Sequence, residues 1–474
     1  MENAALGILI MAAGKGTRMK SELPKVLLPI LDRPMLGYLL STVKKYVHPE
    51  DESADSPSAR VAALVGYGGE RVSGYLRAFP SVEIIWQKEQ LGTGHAVQTA
   101  RPWWENFQNV LVLNGDLPLL SVESLRTFVR EHMEAGAACS LLTFETNSPD
   151  GYGRILRAAY GKKVFVVEHR DATPEQRRVR EVNAGCYLFD VKGLSRVIDE
   201  LRNDNAQGEY YLPDVVSLMN DAGMVVRATA VDGREMLGVN TQAELAAMAM
   251  RVRDSLIHDW MSRGVRVMDP SAVWIGPGVV LEPEVTLMPG VQIWGNSLVG
   301  SGSVIGPYCI LKNARLGRRV ELVANVIVED SELADDSKAG PFTCIRDHSE
   351  LGEHAFAGKF VELKKSRVGR RSKVPHLSYM GDAMIGEDVN IGAGSVTCNY
   401  DGKDKYSTKI GNRVFVGSDT MMVAPVTLHD DSATGAGSTI TVDVPEGALA
   451  VARARQKNLE GWASKKRQQE KQGG

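Results

Sequence analysis

The sequence contains few cysteines and no long apolar run. Its 474 residues include five cysteines, none of them in a Cys-x-x-Cys pair. This scarcity excludes a disulfide-stapled scaffold and argues against a structural zinc site. No apolar stretch reaches the roughly 20 residues that a membrane-spanning helix needs. The apolar start, residues 6–13, has no basic leader, so we interpret it as a buried strand and expect a cytoplasmic protein.

Neither sign of charge dominates the chain. It has 55 Lys and Arg against 58 Asp and Glu, for a net charge of −3. Such a balance argues against a nucleic-acid-binding stripe or a membrane-surface binder, so we expect neither partner. A hydrophobic content of 43% with 24% charged residues excludes global disorder, and the length predicts two or three domains.

The first half alternates short apolar runs with helical periodicity. The predicted strands are residues 7–12, 61–65, 82–86, 110–113, 139–143 and 225–230, and the predicted helices are residues 35–47, 121–135 and 212–222. This alternation predicts a Rossmann-like α/β domain with a mixed, mostly parallel sheet, which binds ligands at the carboxyl ends of its strands. The acidic, aperiodic residues 48–60 predict a surface loop without chemistry.

A capped helix separates two differently patterned halves. Thr241 and Glu244 form a capping box, an apolar face follows through Trp260, and Gly264 ends the helix. We therefore divide the chain into a first domain at 1–240, a linker helix at 241–264, a second domain at 265–445 and a tail at 446–474. The tail is polar and basic, which is typical of a solvated end.

After the helix, aliphatic or small residues recur every six positions. Glycine often follows them, and the chain has 47 glycines, about a tenth of its residues where roughly 7% is ordinary. This period predicts a left-handed parallel β-helix of hexapeptide repeats, with the aliphatic residues pointing inward. The first residues predicted to point inward are Val273, Val279, Val285, Val291, Leu298, Val304, Ile310, Leu316, Leu322 and Val328, and the series continues with one-residue slips to Ile440.

The first predicted strand leads into a glycine-rich loop, MAAGKGTRM, followed by the pair Pro24-Lys25. Gly14 and Gly16 would let the backbone approach a phosphate, and Arg18 and Lys25 supply positive charge beside it. A plain tight turn is the alternative for the glycines alone. Further along, Asp116 at a strand end and Asn240 offer the hard oxygen ligands that Mg²⁺ prefers; a helix N-cap is the alternative for Asp116.

Charged and polar residues cluster on successive repeats of the second domain. They are Arg346, Lys364, His376, Tyr379 and Lys405. His376 is a natural general base near neutral pH, and the basic residues suit a phosphate or a coenzyme A tail. A single histidine on a β-helix is more often structural, but the clustered charges favour a catalytic role.

The first-domain motifs resemble those of the sugar-1-phosphate nucleotidyltransferases. Both halves in this order, with QLGTGHA, NAQGEYY, GPF, VNIGAG, TCNYDG and VFVGSD, resemble the bacterial bifunctional N-acetylglucosamine-1-phosphate uridyltransferase and glucosamine-1-phosphate acetyltransferase family over about residues 6–462. The resemblance implies synthesis of UDP-N-acetylglucosamine from glucosamine 1-phosphate, acetyl-CoA and UTP, with Mg²⁺ as cofactor. It also implies a homotrimer whose acetyltransferase sites lie between neighbouring subunits.

The resemblance assigns residues to each site. For the UDP-sugar it implies Met11, Ala12, Ala13, Gly14, Lys25, Gln87, Gly92, Thr93, Asn114, Gly115, Asp116, Gly153, Glu168, Asn183 and Asn240, with Asp116 and Asn240 also holding Mg²⁺. From their charge, we expect Arg18 and Lys25 to stabilise the transition state. For the amino-sugar phosphate it implies Arg346, Lys364, Tyr379 and Asn390, with His376 catalytic. For acetyl-CoA it implies Ala393, Asn399, Tyr400, Lys405, Ser418, Ala436 and Arg453.

Two residues depart from the family pattern, and two other functions stay open. Asn114 stands where relatives often carry Tyr, and Pro375 precedes His376 where Gly is frequent. One alternative is a nucleotidyltransferase whose β-helix only assembles or regulates; the clustered residues around His376 argue against it. The other is a non-enzymatic subunit resembling a translation factor, against which the intact GKGTR, PK and GD motifs argue.

Overall fold

The computed structural model describes residues 5–49, 59–158 and 163–472. Most of the loop predicted at residues 48–60 lies outside the described residues. Backbone contacts divide the chain into two units, residues 1–252 and 253–474, and the division falls inside a single helix.

The first unit contains eleven described strands. They are β1 Leu6–Ala12, β2 Pro29–Ile30, β3 Arg33–Pro34, β4 Ala59–Val65, β5 Val82–Trp86, β6 Asn109–Asn114, β7 Cys139–Glu145, β8 Arg154–Ala158, β9 Lys163–Val167, β10 Glu181–Asp190 and β11 Val226–Ala230. Its helices are α1 Met35–Val47, α2 Gly69–Leu76, α3 Thr93–Thr99, α4 Arg101–Trp104, α5 Val122–Ala135, α6 Val191–Val197 and α7 Asp214–Asp221; α8, Gln242–Ser262, crosses into the second unit.

The main sheet has the order β11-β7-β10-β6-β1-β4-β5, and β8 and β9 form a hairpin beside β10. All neighbours along this order are parallel except those of β10, which runs antiparallel to β6 and β7. The predicted mixed, mostly parallel sheet is confirmed, with all six predicted strands. The sequence prediction missed β10, whose pairing with β7 shifts register between Asn183 and Tyr187.

Both faces of this sheet are buried, which explains its nearly continuous apolar strands. Leu111 and Leu113 of β6 enter the core that contains α1 and α5, whereas Val110 and Val112 enter the core that contains α6 and α7. A strand covered on both faces needs apolar residues at every position. The strand ends are therefore where polar residues can appear.

The second unit is a stack of short parallel strands on three faces. Face one consists of Arg266–Val267, Thr286–Leu287, Val304–Ile305, Glu321–Leu322, Lys338–Ala339, Phe356–Lys359, Lys373–His376, Asn390–Ile391, Phe415–Val416, Ala433–Thr434 and Leu449–Ala450. Face two consists of Trp274–Ile275, Gln292–Trp294, Ile310–Lys312, Ile327–Glu329, Cys344–Arg346, Glu362–Lys364, Tyr379–Gly381, Val396–Cys398, Met421–Val423 and Thr439–Ile440. Face three consists of Val280–Leu281, Leu298–Val299, Arg315–Leu316, Glu332–Leu333, Glu350–Leu351, Arg367–Val368, Ala383–Ile385, Thr408–Ile410 and Val426–Leu428.

Strands on one face pair with the strand one coil away. Thr286 pairs with Val304, an 18-residue coil, and Leu298 pairs with Arg315, a coil of 17. A coil of 17 residues is one residue shorter than three hexapeptides, which explains the one-residue slips in the six-residue period of the sequence. The predicted left-handed parallel β-helix is confirmed.

The predicted inward register is wrong in one stretch. Leu298, Val304 and Ile310 are only half-buried, and the next residue in each strand is fully buried instead: Val299, Ile305 and Leu311. Both positions carry an aliphatic side chain, so the period alone does not choose between them, and a one-residue shift turns a side chain to the opposite face. The other residues of the predicted series named above are buried.

The helix that joins the halves begins as predicted. The Glu244 backbone amide donates to Thr241 Oγ1 over 3.2 Å, and Glu244 Oε2 accepts from the Thr241 backbone amide over 3.1 Å. These reciprocal bonds are the predicted capping box. In the tail, α9 spans Trp462–Gln472.

Candidate active sites

A cleft of about 600 Å³ opens at the carboxyl ends of β1 and β6 in the first unit. These two strands are neighbours, with Met11 paired to Asn114, so the loops that follow them meet at one edge of the sheet. The cleft is lined by Met11, Ala13, Gly14, Lys15, Gly16, Thr17, Arg18, Lys25, Val26, Gln87, Gln90, Gly92, Thr93, Ala96, Asn114, Asp116, Glu209 and Asn240. It occupies the position predicted for a ligand of a mostly parallel sheet.

The glycine loop forms one wall of this cleft. A Cβ added at Gly14 would have no atom within 4 Å, so the backbone there borders open space. Gly16 has a φ of +57°, and a Cβ there would lie 2.7 Å from Lys25 Cβ. Glycine at position 16 therefore permits a left-handed turn and lets Lys25 pack against the loop.

Four polar side chains converge at the floor of the cleft. Lys25 Nζ lies 2.5 Å from Asp116 Oδ2 and donates to Asn240 Oδ1 over 2.8 Å. Arg18 Nη2 donates to the same Asn240 oxygen over 3.0 Å. Two strongly basic groups and one carboxylate thus share a small volume beside the glycine loop, which is the charge pattern that a polyphosphate and a divalent cation would complete.

Two oxygen-bearing side chains at this site are of the kind that binds the predicted magnesium ion. The Asp116 carboxylate and the Asn240 amide oxygen approach one common cation, the Lys25 ammonium, which shows that both can face a single positive charge. Mg²⁺ takes oxygen ligands and usually keeps several waters or phosphate oxygens beside one or two protein groups. These two residues are therefore suitable ligands for it.

A second cavity of about 210 Å³ adjoins the cleft and shares Met11, Thr93, Asn114 and Glu209 with it. Its remaining lining residues are Val112, Glu168, Asn183, Gly185, Tyr187, Gln207, Tyr211, Leu212 and Pro213. Burial, together with the nearby Asp214 and Asp171 carboxylates, raises the pKa of Glu168. Carboxylate, amide and phenol groups around a small cavity suit the hydroxyl groups of a sugar.

The predicted UDP-sugar residues divide into two groups. Most of them line one of the two cavities, and Met11, Thr93 and Asn114 line both. Ala12, Gly115 and Gly153 line neither: the Gly115 backbone amide donates to Met11 O over 3.0 Å, and the Gly153 carbonyl accepts from the Asn183 amide over 2.9 Å. Gly115 and Gly153 thus contact the cavity-lining residues Met11 and Asn183 through backbone hydrogen bonds.

Sequence reasoning missed several lining residues. Lys15 and Thr17 lie within the glycine-loop motif, so that motif could have supplied them. Glu209, Gln207 and Tyr211 lie in the NAQGEYY motif, which was noticed but not assigned to a site. Glu209 borders both cavities.

In the second unit, the predicted phosphate-binding residues Arg346, Lys364 and Tyr379 occupy face two, whereas Asn390 lies on face one. Arg346 and Lys364 are register partners on successive coils. Arg346 donates to Glu362 Oε1 from Nε over 2.8 Å and from Nη2 over 2.6 Å. The neighbouring Lys405 and Arg346 lower the pKa of Lys364. The inserted loop therefore brings Lys405 beside Lys364, as the clustering in the sequence suggested.

His376 lies at the exposed end of its strand on face one, where the chain turns toward face two. Lys359 is its register partner on the preceding coil. On the following coils, the Ala393 carbonyl accepts from the Asp419 amide over 2.7 Å, and the Ser418 carbonyl accepts from the Gly437 amide over 2.8 Å. Ala393, Ser418 and Ala436 thus follow one another along the same edge of the β-helix.

The remaining predicted residues of this unit are dispersed around that edge. Tyr379 pairs in register with Glu362, and Asn390 pairs with Lys373. Asn399 donates to Asp382 over 2.6 Å, and the exposed Tyr400 pairs with Lys405 across the inserted loop. Arg453 is exposed beyond the last face-one strand, and Pro375 is half-buried within the strand that ends at His376.

Comparison with known proteins identifies relatives across the whole chain. The MobA-like NTP transferase domain matches residues 8–185. Proteins named "Bifunctional protein GlmU" are 42% identical over 455 residues in Carboxydothermus hydrogenoformans, covering 96% of this chain and 99% of that protein, and 44% identical over 460 residues in Heliobacterium modesticaldum, covering 97% and 98%. The Thermus thermophilus protein of that name is 46% identical over 460 residues, covering 97% and 98%.

The chain belongs to the bifunctional GlmU family. Membership confirms the resemblance stated from the motifs, for both halves in the same order. The relatives align along the β-helix as well as the first unit, and they are named bifunctional. This favours two activities over a β-helix that only assembles, and an enzyme over a binding subunit. Among the described residues, no helix is long and apolar enough to cross a membrane.

Proposed function

We propose that this GlmU family member makes UDP-N-acetylglucosamine in two steps. The second unit acetylates glucosamine 1-phosphate with acetyl-CoA, releasing coenzyme A. The first unit then transfers a uridylyl group from UTP to N-acetylglucosamine 1-phosphate, releasing pyrophosphate. The observation that carries the proposal is the convergence of Lys25, Arg18, Asp116 and Asn240 beside the glycine loop, in a chain whose full-length relatives are bifunctional.

In the first unit, a phosphate oxygen of the sugar phosphate attacks the α-phosphorus of UTP, and the bond from that phosphorus to pyrophosphate breaks. The glycine loop holds the phosphates through its backbone amides, and Arg18 and Lys25 stabilise the negative charge of the transition state. Asp116 and Asn240 would hold Mg²⁺, which supplies charge neutralisation on phosphate oxygens when bound.

The small cavity takes the sugar, and the adjoining cleft takes the nucleotide. Glu168 and Asn183 offer an acceptor and an amide to sugar hydroxyls and to the acetamido group. Because Asn114 lines both cavities, it stands at the junction between sugar and nucleotide. We expect its shorter side chain to replace, at this junction, the contacts of the Tyr that relatives often carry.

In the second unit, His376 takes a proton from the amine of glucosamine 1-phosphate while the nitrogen attacks the acetyl carbon. The carbon–nitrogen bond forms, the carbon–sulfur bond breaks, and coenzyme A leaves as the thiolate. Arg346, Lys364, Tyr379 and Asn390 bind the sugar phosphate. The lowered pKa of Lys364 reflects crowding of positive charge, which a phosphate would relieve.

Most of the proposed acetyl-CoA residues lie along an open edge of the β-helix. His376, Ser418 and Ala436 are exposed in the single chain, as are Tyr400, Lys405 and Arg453. This exposure supports the expected homotrimer, in which a neighbouring subunit would complete each acetyltransferase site. If light scattering at micromolar concentration shows a monomer that has full acetyltransferase activity, the trimer is contradicted.

UTP and acetyl-CoA are cytoplasmic metabolites, so we place the enzyme in the cytoplasm.

The division of labour is tested by His376→Ala. Loss of a general base costs about 10²–10⁴-fold, so release of the coenzyme A thiol should fall by that factor while pyrophosphate release stays unchanged. His354→Ala is the matched control, because His354 is exposed at a different turn of the same β-helix. Equal loss of both activities in His376→Ala would contradict the assignment.

A further inference from the structure

Arg154 is a fully buried arginine at the start of β8, with a relative exposure of 0%. Its guanidinium donates mainly to neutral acceptors: to the Tyr152 carbonyl from Nη1, to the Arg177 carbonyl over 3.3 Å from Nε, and to His169 Nδ1 over 3.2 Å from Nη2. The Asp150 carboxylate lies 3.8 Å away and is almost fully exposed. Burying a charge in this way costs stability, which suggests that the residue serves another purpose.

The three acceptors belong to three separate segments. Tyr152 precedes β8, His169 follows β9, and Arg177 lies in the turn Gln176–Arg178 before β10. One planar guanidinium therefore ties together the connections on both sides of the β8–β9 hairpin. A lysine has a single nitrogen at its tip and could not reach all three acceptors with the same geometry.

Arg154 also stands between the two strands that lead into the small cavity. Its register partners are Val167 on β9 and Val182 on β10. The residues immediately after these partners are Glu168 and Asn183, and both line the cavity. A shift of Arg154 would therefore move both groups at once.

The residue before Arg154 contacts the same two groups. A Cβ added at Gly153 would lie 3.1 Å from Glu168 Oε1, so the carboxylate packs directly over this glycine. The Gly153 carbonyl accepts from the Asn183 amide over 2.9 Å. Residues 152–154 thus form the frame on which Glu168 and Asn183 are held.

We propose that Arg154 is the positioning residue of the sugar-binding cavity, fixing Glu168 and Asn183 through this frame without touching the substrate. The proposal rests on the proposed uridylyl transfer and on the sugar occupying the small cavity. A change at Arg154 should therefore alter the affinity for N-acetylglucosamine 1-phosphate. The affinity for UTP should stay the same, because other residues line the UTP cleft.

The test compares Arg154→Lys with two substitutions at His169 in steady-state assays of pyrophosphate release. Loss of one buried hydrogen bond corresponds to about a threefold to tenfold change in affinity. We expect His169→Ala to raise the KM for N-acetylglucosamine 1-phosphate by that factor and Arg154→Lys to raise it more, with the KM for UTP within about twofold. His169→Asn keeps an acceptor near the Nδ1 position and should restore the KM. Arg157→Lys is the matched control, because Arg157 lies on the same strand and pairs at the surface with Glu181.

The outcomes separate this inference from the function on which it rests. A wild-type chain that releases no pyrophosphate from these substrates overturns the proposed function. An active wild type with an unchanged sugar-phosphate KM in both Arg154→Lys and His169→Ala overturns the positioning role. Equal rises in both KM values would also overturn it, because they would indicate a general structural role. If Arg154→Lys does not fold, the comparison of His169→Ala with His169→Asn decides alone.

Discussion

The register of the β-helix is tested by two neighbouring residues, Leu298 and Val299. The structure buries Val299 completely and leaves Leu298 half-exposed beside Arg315 of the next coil. Val299→Ala removes two buried methyl groups at about 0.8 kcal/mol each, and the cavity left behind brings the loss to about 2 kcal/mol. That loss corresponds to about a 30-fold shift in the unfolding equilibrium.

Leu298→Glu has the opposite expectation. Its side chain would point outward and could pair with Arg315, so the change should cost no more than about 0.5 kcal/mol, as for ordinary surface substitutions. If the inward register were the one predicted from the sequence, Leu298→Glu would bury a charge and cost several kcal/mol.

The assay follows unfolding of the second unit by its own activity. Each variant is equilibrated in increasing urea, and release of the coenzyme A thiol is measured with pyrophosphate release as the internal reference. We expect the midpoint of acetyltransferase loss to fall for Val299→Ala and to stay near wild type for Leu298→Glu, with the pyrophosphate midpoint unchanged in both. A lower midpoint for Leu298→Glu than for Val299→Ala would refute the register.

Three further predictions concern the first unit. Asp116→Asn should lower pyrophosphate release most strongly at limiting Mg²⁺ and leave thiol release unchanged; unchanged activity would remove Asp116 from the metal site. Burial raises the pKa of Glu168, so its contribution to stability is present at low pH and is lost as pH rises through the folded pKa. Glu168→Gln should therefore raise the melting temperature of this unit at pH 7 while raising the KM for the sugar phosphate, and a lower melting temperature would contradict the sign. Burial lowers the pKa of His132 to about 4, so its contribution is full above about pH 6.5 and is lost as pH falls through about 4; His132→Gln should flatten that acid dependence in thermal unfolding.

The fold could be predicted where a local sequence pattern is compatible with only one kind of structure. The doubly covered strands are apolar at every position, and the six-residue period has few structural solutions, so both halves followed from the sequence. The strand β10 did not, because Gly185 and the register shift after Asn183 break its apolar run. The one-residue error at Leu298 has a similar origin. Leu298 and Val299 are both aliphatic, so either side chain could point inward, and only packing against the coils above and below determines which one does.

The same distinction applies to the candidate sites, where some residues could be identified from the sequence and others could not. Arg18, Lys25, Asp116 and Asn240 were found because phosphate and metal chemistry restricts the residue types that can serve. Glu209 was missed because a glutamate in a connecting segment is ordinary in a sequence, and its position between two cavities is visible only after folding. Gly153 was assigned only through the family resemblance, because a glycine that contacts its neighbours through the backbone has no side chain whose chemistry indicates a role.

The charges of the second unit, which look equivalent in the sequence, are unequal in the structure. Arg346 is already engaged by two hydrogen bonds to Glu362, so part of its charge is balanced before any ligand arrives. Lys364 instead has Lys405 as the largest influence on its pKa, which their repulsion lowers, while the Asp347 carboxylate lies 3.9 Å from its Nζ. A phosphate placed between these two lysines would remove that repulsion, whereas one placed on Arg346 would compete with Glu362. We therefore expect a phosphate to lie nearer Lys364 and Lys405 than Arg346, although the family resemblance assigns the phosphate to Arg346 and Lys364.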